Sequence, residues 1–581
     1  MPDTLSSIRH SLAHLLATAA LEHDPAAKLS VGPVIDNGFY YDIEFSEGRN
    51  PSSEDLKRLE KTMRHLVKKN LDFIKKEVTA EQARAFFSDN PYKLAIIDDL
   101  EQAGTAISLY ETGNFTDLCV GGHVENTREI DPHSFTLTHL AGAYWRGDEK
   151  NPMLTRVYGI AFESKALLEI YLERQEEAKK RDHRKLGKEL DLFTFSPLVG
   201  AGLPLFTPKG TVLRSELQNA LLSISKKYGM QPVTIPHIAK RDLYVTSGHA
   251  EKFSDELIKV ISHYDEFVMK PVNCPHHTQI YASRPRSYRD LPLRYMESTM
   301  QYRDEQPGEI GGLTRVRAIT VDDGHIFCRV DQIKEEAKSI ANIIKEFYSS
   351  LGMYGNHWVS LSVRDLSTPE KYIGDDADWD TAETMLQEIS NDLSLDAKRM
   401  EGEAALYGPK LDYMFTDSLG RERQLATIQI DFAMPKRFGL SYTGSDGKEE
   451  TPVMIHRAIL GSYERFMAIL IEHFAGAFPL WLSPVQIAIL PVSEKHRSYA
   501  EELLAKFQEI DIRTELHGND ESLGKRIRTA KMQKIPYLLV VGDKEIENRN
   551  VSVESRDDGQ LGTKSLDETI SLLQEKIQSK Q

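Results

Sequence analysis

The sequence predicts a multidomain α+β protein, and three observations carry that reading. At 581 residues the chain is several times the roughly 150 residues of one domain. Helical and strand-like runs mix without regular alternation up to about residue 483, then alternate to the end, the pattern of α+β domains followed by a small α/β layer. With 40% apolar and 28% charged residues, 36 Gly and 25 Pro, the composition excludes collagen-like, coiled-coil and wholly disordered classes.

The elements follow in order. The amino terminus opens on a short apolar helix carrying His10 and His14, and its acidic residues Asp3, Glu22 and Asp24 are unlike a secretory or transit signal. A Gly-rich strand and turn segment (31–45) and a charged helix from Ser53 to Lys69 complete an α+β pattern, so residues 1–160 form the first predicted domain. From Ser164 to Lys188 the chain is rich in helix formers and nearly free of β-branched residues, which predicts one long exposed helix linking domains over 161–188. Residues 189–482 hold a long helix (Thr211 to Tyr228), several apolar strands and a closing helix from Ser462 to Phe474. The tail, 483–581, alternates strands (485–492, 537–543, 550–555) with helices, which predicts a mostly parallel layer.

The apolar stretch Phe466 to Trp481 is interrupted by Glu472, His473 and Pro479 and falls short of the ~20 residues a membrane span needs. Three scattered cysteines, Cys119, Cys274 and Cys328, argue against a disulfide framework and for a cytoplasmic location. The net charge of −16 counts against a polyanionic partner taken alone. Positive charge nevertheless clusters in two runs, Lys179, Lys180, Arg181, Arg184, Lys185 and Lys188, and Lys525, Arg526, Arg528, Lys531 and Lys534. Either faces a polyanion or is a solvated helix face.

Two patterns carry chemistry. Between Arg294 and Cys328, strand, Gly-rich loop and strand carry Arg303 with Glu305 and Arg315 with Arg317 at alternating positions. Such a ribbon suits a site that holds phosphate and fixes a base, or is a cross-strand ion-pair ladder. His10 and His14 lie four apart, as do Cys119 and His123; from chemistry alone this quartet is a credible tetrahedral zinc site.

Tyr302-Arg303-Asp304-Glu305 with Arg315 resembles motif 2 of the class II aminoacyl-tRNA synthetases, and Gly461-Ser462-Tyr463-Glu464-Arg465 resembles motif 3. The helix from Thr211 and the strand ending at Pro236 fit motif 1, the dimer interface of that class. The segments 270–277 (KPVNCPHH), 322–328 (DDGHIFC), 407–413 (YGPKLDY) and 453–466 (VMIHRAILGSYERF) are similar to the threonyl-tRNA synthetase family, in the same domain order over essentially the whole chain. The resemblance implies a class II antiparallel-sheet catalytic core, an α+β editing domain and a carboxyl-terminal α/β anticodon-binding domain. It implies ATP with Mg²⁺, L-threonine and tRNA(Thr) as partners, a homodimer through motif 1, and editing of seryl-tRNA(Thr). The family usually begins with a small β-grasp module, and here the sequence opens directly on the editing helix.

The matched positions inherit expected roles. Arg303 contacts the α-phosphate, Glu305 the adenine amino group, Arg315 the γ-phosphate region, and Arg465 the triphosphate opposite Arg303. Cys274, His325 and His456 correspond to the ligands of one zinc ion per subunit, although separations of 51 and 131 residues form no local metal motif. Asp323 is expected to accept the threonine hydroxyl proton. In the editing domain His10, His14, Cys119 and His123, with Tyr41, Lys93 and Asp117, match a hydrolytic pocket expected to work without metal. Two positions depart from the family pattern: Val321 replaces the usual Gln, and His276 the usual Gly. Val321 cannot donate a hydrogen bond, so that contact falls to Tyr407, Lys410, Gln424 or Gln429, and His276 is a bulky neighbour of the ligands and not a fourth one. Val321 also leaves room for an alternative, a catalytically impaired synthetase-like RNA-binding or regulatory protein; another is a zinc hydrolase acting through the amino-terminal quartet.

Overall fold

A computed structural model describes residues 4–580 except 47, 48, 50, 254, 307 and 519. The chain forms two compact units, Met1–Glu176 and Glu177–Gln581.

In the first unit the helix Thr4–His23 is built from Ala and Leu and buries most of its length. It lies against an antiparallel sheet in which Gly38–Glu44 and Phe135–Tyr144 flank Met153–Ala161. The charged helix runs Ser53–Lys68 and buries only its apolar stripe, as amphipathic spacing requires. A second sheet pairs Phe73–Val78, Ile107–Thr112 and Phe115–Leu118. Beside it the helix Pro91–Gln102 starts where Asn90 caps the amides of Tyr92 and Lys93.

The expected single linker helix is two helices, Lys165–Arg181 and His183–Glu189. Asp182 breaks it by accepting the Arg184 amide in the manner of an N-cap, and the second piece buries His183 and Leu186. Helix propensity is a weak prior beside a capping residue and a buried face.

In the second unit eight strands form one sheet, in the order Gln231–Pro232, Leu293–Tyr302, Ala318–Cys328, Val453–Ala458, Glu422–Asp431, Lys410–Thr416, His357–Val363 and Lys398–Glu401. All pairings are antiparallel except at the two edges, which agrees with the expected antiparallel core. Three helices, Pro208–Lys227, Ile333–Ser349 and Tyr463–His473, contribute to its core. The first begins three residues earlier than expected because Thr207 caps it and Pro208 occupies its first turn. The apolar run after Phe466 is a core helix, and among the described residues no helix is long and apolar enough to cross a membrane.

The carboxyl-terminal sheet orders Thr514–Leu516, Ile487–Pro491, Tyr537–Val541, Asn550–Ser555 and Gly559–Ser565. Its first two pairings are parallel and its last two antiparallel, which corrects the mostly parallel expectation. The strand Asn550–Ser555 turns back through Asp557 and Asp558 into a hairpin with Gly559–Ser565. A tight turn forces antiparallel pairing, whereas parallel neighbours need a crossover helix.

Candidate active sites and metal centre

The register of the large sheet assembles one site from distant residues. Tyr295, His325, His456, Gln429, Lys410 and Ser362 follow one another across six strands. Glu297 and Asp323 pair with each other two residues along, which places them on the same face.

Cys274 opens the helix Cys274–Ala282, and its donor atom and one from each of His325 and His456 all lie within 4.8 Å of one another. All three residues are buried. Burial holds the His325 imidazole neutral, well below its usual range. It also pushes the Cys274 thiol well up, helped by the carboxylates of Asp323 and Asp431; a cation among these donors would reverse that shift. One sulfur and two imidazoles backed by carboxylates fit zinc with an open coordination position. The free imidazole nitrogens are already oriented. His456 Nε2 lies 2.8 Å from Asp431 Oδ2, and His325 Nδ1 lies 2.7 Å from His277 Nδ1. Asp323 accepts from Asn273 Nδ2 at 3.0 Å, and burial raises its pKa.

The neighbours of Val321 are not those expected. Lys410 Nζ and Gln424 Nε2 both donate to Asp412, at 2.6 and 2.8 Å. Gln429 Nε2 donates to the Gly408 carbonyl at 3.0 Å, and the Tyr407 ring lies 4.8 Å from that of His456. Val321 faces Thr299 across the strands, and the Thr299 hydroxyl accepts from buried Lys270 at 2.9 Å. Burial lowers the Lys270 ammonium to about 8. His276 is outside the donor cluster, and neither of its ring nitrogens has a hydrogen-bond partner.

The phosphate-binding candidates surround a loop, not a continuous ribbon. The strands end at Tyr302 and restart at Ala318, so strict alternation does not govern Arg303, Glu305, Arg315 or Arg317. Arg315 pairs with Glu305 at 2.6 Å and Glu309 at 2.9 Å, while Arg317 donates to the Glu305 carbonyl at 3.0 Å. Arg303 lies over the Phe253 ring at 4.8 Å and has a buried Nε with no partner. Arg465 lies in the first turn of its helix, where Ser462 accepts its amide. Desolvation and nearby Arg423 lower its pKa. Among the described residues no carboxylate forms an ion pair with Arg303 or Arg465, leaving both guanidinium groups available to an anion.

In the first unit a cavity of about 380 Å³ is lined by His10, His14, Tyr41, Lys93, Asp117 and Cys119 among others. His123 joins through Cys119, whose Sγ lies 3.2 Å from His123 Nε2 and 3.5 Å from His10 Nε2. His10 and His14 share a helix face as expected, but Cys119 and His123 come together through a loop. Gly121 and Gly122 turn it at positive φ, a conformation glycine adopts without steric cost. Burial lowers His10 and His14, takes His123 down to about 2 and raises the Cys119 thiol to about 11. The quartet therefore holds neutral imidazoles and a protonated thiol near neutral pH. Asp117 accepts from both Lys93 and Tyr41, and Lys93 Nζ also lies 3.2 Å from the Tyr41 hydroxyl. The four donors of the quartet also lie within 4.8 Å of one another, close enough to hold a metal.

Sequence reading missed Lys270, Asn273, His277, Glu297 and Asp431. Asn273 and His277 flank the Cys-Pro-His segment and were visible as polar residues beside Cys274; the others are brought in only by cross-strand pairing.

Comparison with known proteins agrees with this geometry. Residues 256–474 match the tRNA synthetase class II core domain (G, H, P, S and T). Residues 486–576 match the anticodon binding domain, and residues 107–158 the threonyl and alanyl tRNA synthetase second additional domain. The chain is 48% identical to the threonine–tRNA ligase of Gloeobacter violaceus, with 99% of this chain and 93% of that protein covered. It is 47% identical to that of Thermus thermophilus, covering 97% and 87%. Among solved structures it is similar to the RNA binding domain of threonyl-tRNA synthetase from Cryptosporidium parvum Iowa II, at TM-score 0.65 and 34% identity over 68% of this chain and 98% of that one. With full-length identity to these enzymes and the sheet, phosphate-binding loop and donor cluster in place, the chain belongs to the threonine–tRNA ligase family.

Proposed function

We propose that the chain activates L-threonine with ATP, transfers it to tRNA(Thr), and hydrolyses mischarged seryl-tRNA(Thr) in its first unit. The observation that carries the reading is the convergence of Cys274, His325 and His456 beside Asp323, in a chain whose relatives are threonine–tRNA ligases. Arg303 and Arg465 are assigned to the phosphates from opposite sides. They stabilise charge as a threonine carboxylate oxygen attacks the α-phosphorus and pyrophosphate, with its Mg²⁺, departs. Glu305 exchanges Arg315 for the adenine amino group, which frees Arg315 for the γ-phosphate. Lys270 stands where Val321 offers no donor, a replacement for the lost polar contact. The adenylate carbonyl is then attacked by a ribose hydroxyl of the tRNA.

Zinc, one per chain on Cys274, His325 and His456, supplies when bound an open position for the amino group and hydroxyl of the amino acid. Asp323 accepts the hydroxyl proton. Valine lacks the hydroxyl and leaves these groups unpaired, a difference worth ~10⁴ or more in selection, whereas serine lacks only a methyl, worth about 1–3 kcal/mol. The quartet and the Lys93–Asp117–Tyr41 group supply the second sieve, with a neutral histidine as proton acceptor for water. The editing, linker, catalytic and anticodon-binding segments are assigned to 1–160, 161–188, 189–482 and 483–581, with a homodimer formed through the helix Pro208–Lys227.

Amino-acid-dependent ATP–pyrophosphate exchange tests this function. Exchange with threonine, weaker with serine, absent with valine and abolished by a zinc chelator is expected; no exchange with any of the three would reject it. Zinc lost in Cys119→Ser but kept in Cys274→Ser would instead place the metal in the first unit and favour a zinc hydrolase.

A further inference from the structure

We propose that His183 is a positioning residue for adenylate formation, fastening the loop that carries Glu305 and Arg315 to the helix that carries Arg465. The proposal rests on the assignment of those three residues to ATP.

His183 opens the short helix after the Asp182 break and is 5% exposed. Its Nε2 lies 3.1 Å from the backbone amide of Leu313, and its Nδ1 lies 2.7 Å from Glu472 Oε1. An amide can only donate, so Nε2 is the acceptor, the proton sits on Nδ1, and the imidazole is held as one tautomer. The His183 amide also faces Glu472 Oε1, at 3.3 Å. The other Glu472 oxygen pairs with Arg421, which in turn pairs with Asp417. Glu472 lies in the last turn of the helix Tyr463–His473, whose first turn holds Arg465. One imidazole thus joins the loop to the far end of that helix.

The loop is shaped for this contact. Leu313 is fully buried, two residues before Arg315. Gly312 has φ +54°, and a Cβ there would stand 2.3 Å from His183 Nε2, so only glycine permits the approach. Donor atoms of Asp182, His183 and Glu472 are also close enough to suggest a metal. Both ring nitrogens are already engaged, however, and Nε2 has its lone pair on a backbone N–H, so the cluster is a clamp and not a metal site. The chemical need follows from the ion pairs: if ATP draws Arg315 away from Glu305, the backbone bearing them must stay in place while the side chains change partners.

The test is ATP–pyrophosphate exchange by the full zinc-loaded chain, with the KM for ATP and for threonine measured separately. His183→Leu keeps the volume and removes both hydrogen bonds. It is expected to raise the ATP KM about tenfold or more while the threonine KM stays within about twofold. His183→Gln presents an amide oxygen and an N–H to the same two partners and is expected to recover most of the loss. If the Leu variant does not accumulate, Gly312→Ala pushes on the same contact from the loop side and is expected to give the same ATP-selective defect. An unchanged ATP KM, equal rises in both KM values, or Gln no better than Leu would overturn the proposal. Arg315→Ala is the control for the assignment beneath it: an unchanged ATP KM there would mean that the loop does not bind ATP at all.

Discussion

The two imidazoles of the donor cluster are each held by a residue that no local motif announces. Asp431 orients His456, and its other oxygen accepts the amides of Ala433 and Met434 at 2.8 Å, which fixes the carboxylate on a helix start. His277 orients His325, and its own Nε2 lies 3.7 Å from Glu297 Oε2. Neither of those last two atoms has a hydrogen-bond partner, although Glu297 Oε1 accepts the Ile235 amide at 3.0 Å. A small movement would complete a chain from His325 to the segment following Gln231–Pro232. Outer partners of metal-bound histidines fix the tautomer and ring orientation, so His277→Leu is expected to weaken zinc binding by about 10–100-fold. Competition with a chromophoric chelator measures it, and unchanged affinity would separate His277 from the metal. His276, marked in the sequence by its departure from the family, is the less connected of the pair; burial takes it down to about 4.

Helices show the same gap between composition and placement. The basic run from Lys525 to Lys534 reads as one charged face, yet the helix Leu523–Met532 turns Arg526 inward, where it is 4% exposed. Its guanidinium donates to the carbonyls of Glu521, Pro491 and His517, while Arg528 is exposed. Changing Lys525 and Arg526 together would therefore confuse tRNA binding with folding. Hydrogen bonds from a charged donor contribute about 1.5–3 kcal/mol each, so Arg526→Ala is expected to cost at least about 2 kcal/mol in urea unfolding. Arg528→Glu is expected to leave unfolding unchanged and weaken tRNA binding in a salt-dependent way; equal unfolding midpoints for the two variants would contradict the assignment. Helix periodicity places such runs along the chain but cannot say which cation finds buried carbonyls. The linker failed for a related reason, since Asp182 acts as a cap only because His183 has a buried partner. The sheet core, by contrast, was legible as apolar strands bounded by Gly and Pro. Its site was not, because register across six strands joins residues that no spacing links, and there the family resemblance supplied the assignment.

Over the whole molecule, both units bury neutral imidazoles, and this sets how the fold responds to acid. Outside the metal cluster, His10, His14, His123, His249, His276 and His473 all have lowered pKa values, with burial the leading cause in each. His249 falls to about 3. In the unfolded chain each returns to about 6.5. Above that pH both states are neutral and the stabilisation is complete. As the pH falls below 6.5 the unfolded chain takes up protons that the folded chain refuses, and stability drops by up to about 1.4 kcal/mol per pH unit for each group. Buried Asp323 and Glu464, raised by desolvation, work in the opposite sense but are two groups against six. Ion-paired carboxylates such as Asp182, held at about 2, and Glu472 add their own loss only as the pH falls below about 4.5, so the interval from 6.5 to 5 belongs to the histidines. Urea midpoints of the full chain are therefore expected to fall steadily between pH 7 and 5. His14→Gln, which removes a fully buried imidazole from the first unit, is expected to flatten that fall for the transition of its own unit. Midpoints independent of pH over this range would mean that the buried histidines take up protons in the folded state, and the neutral-imidazole reading of the editing pocket would fall with them.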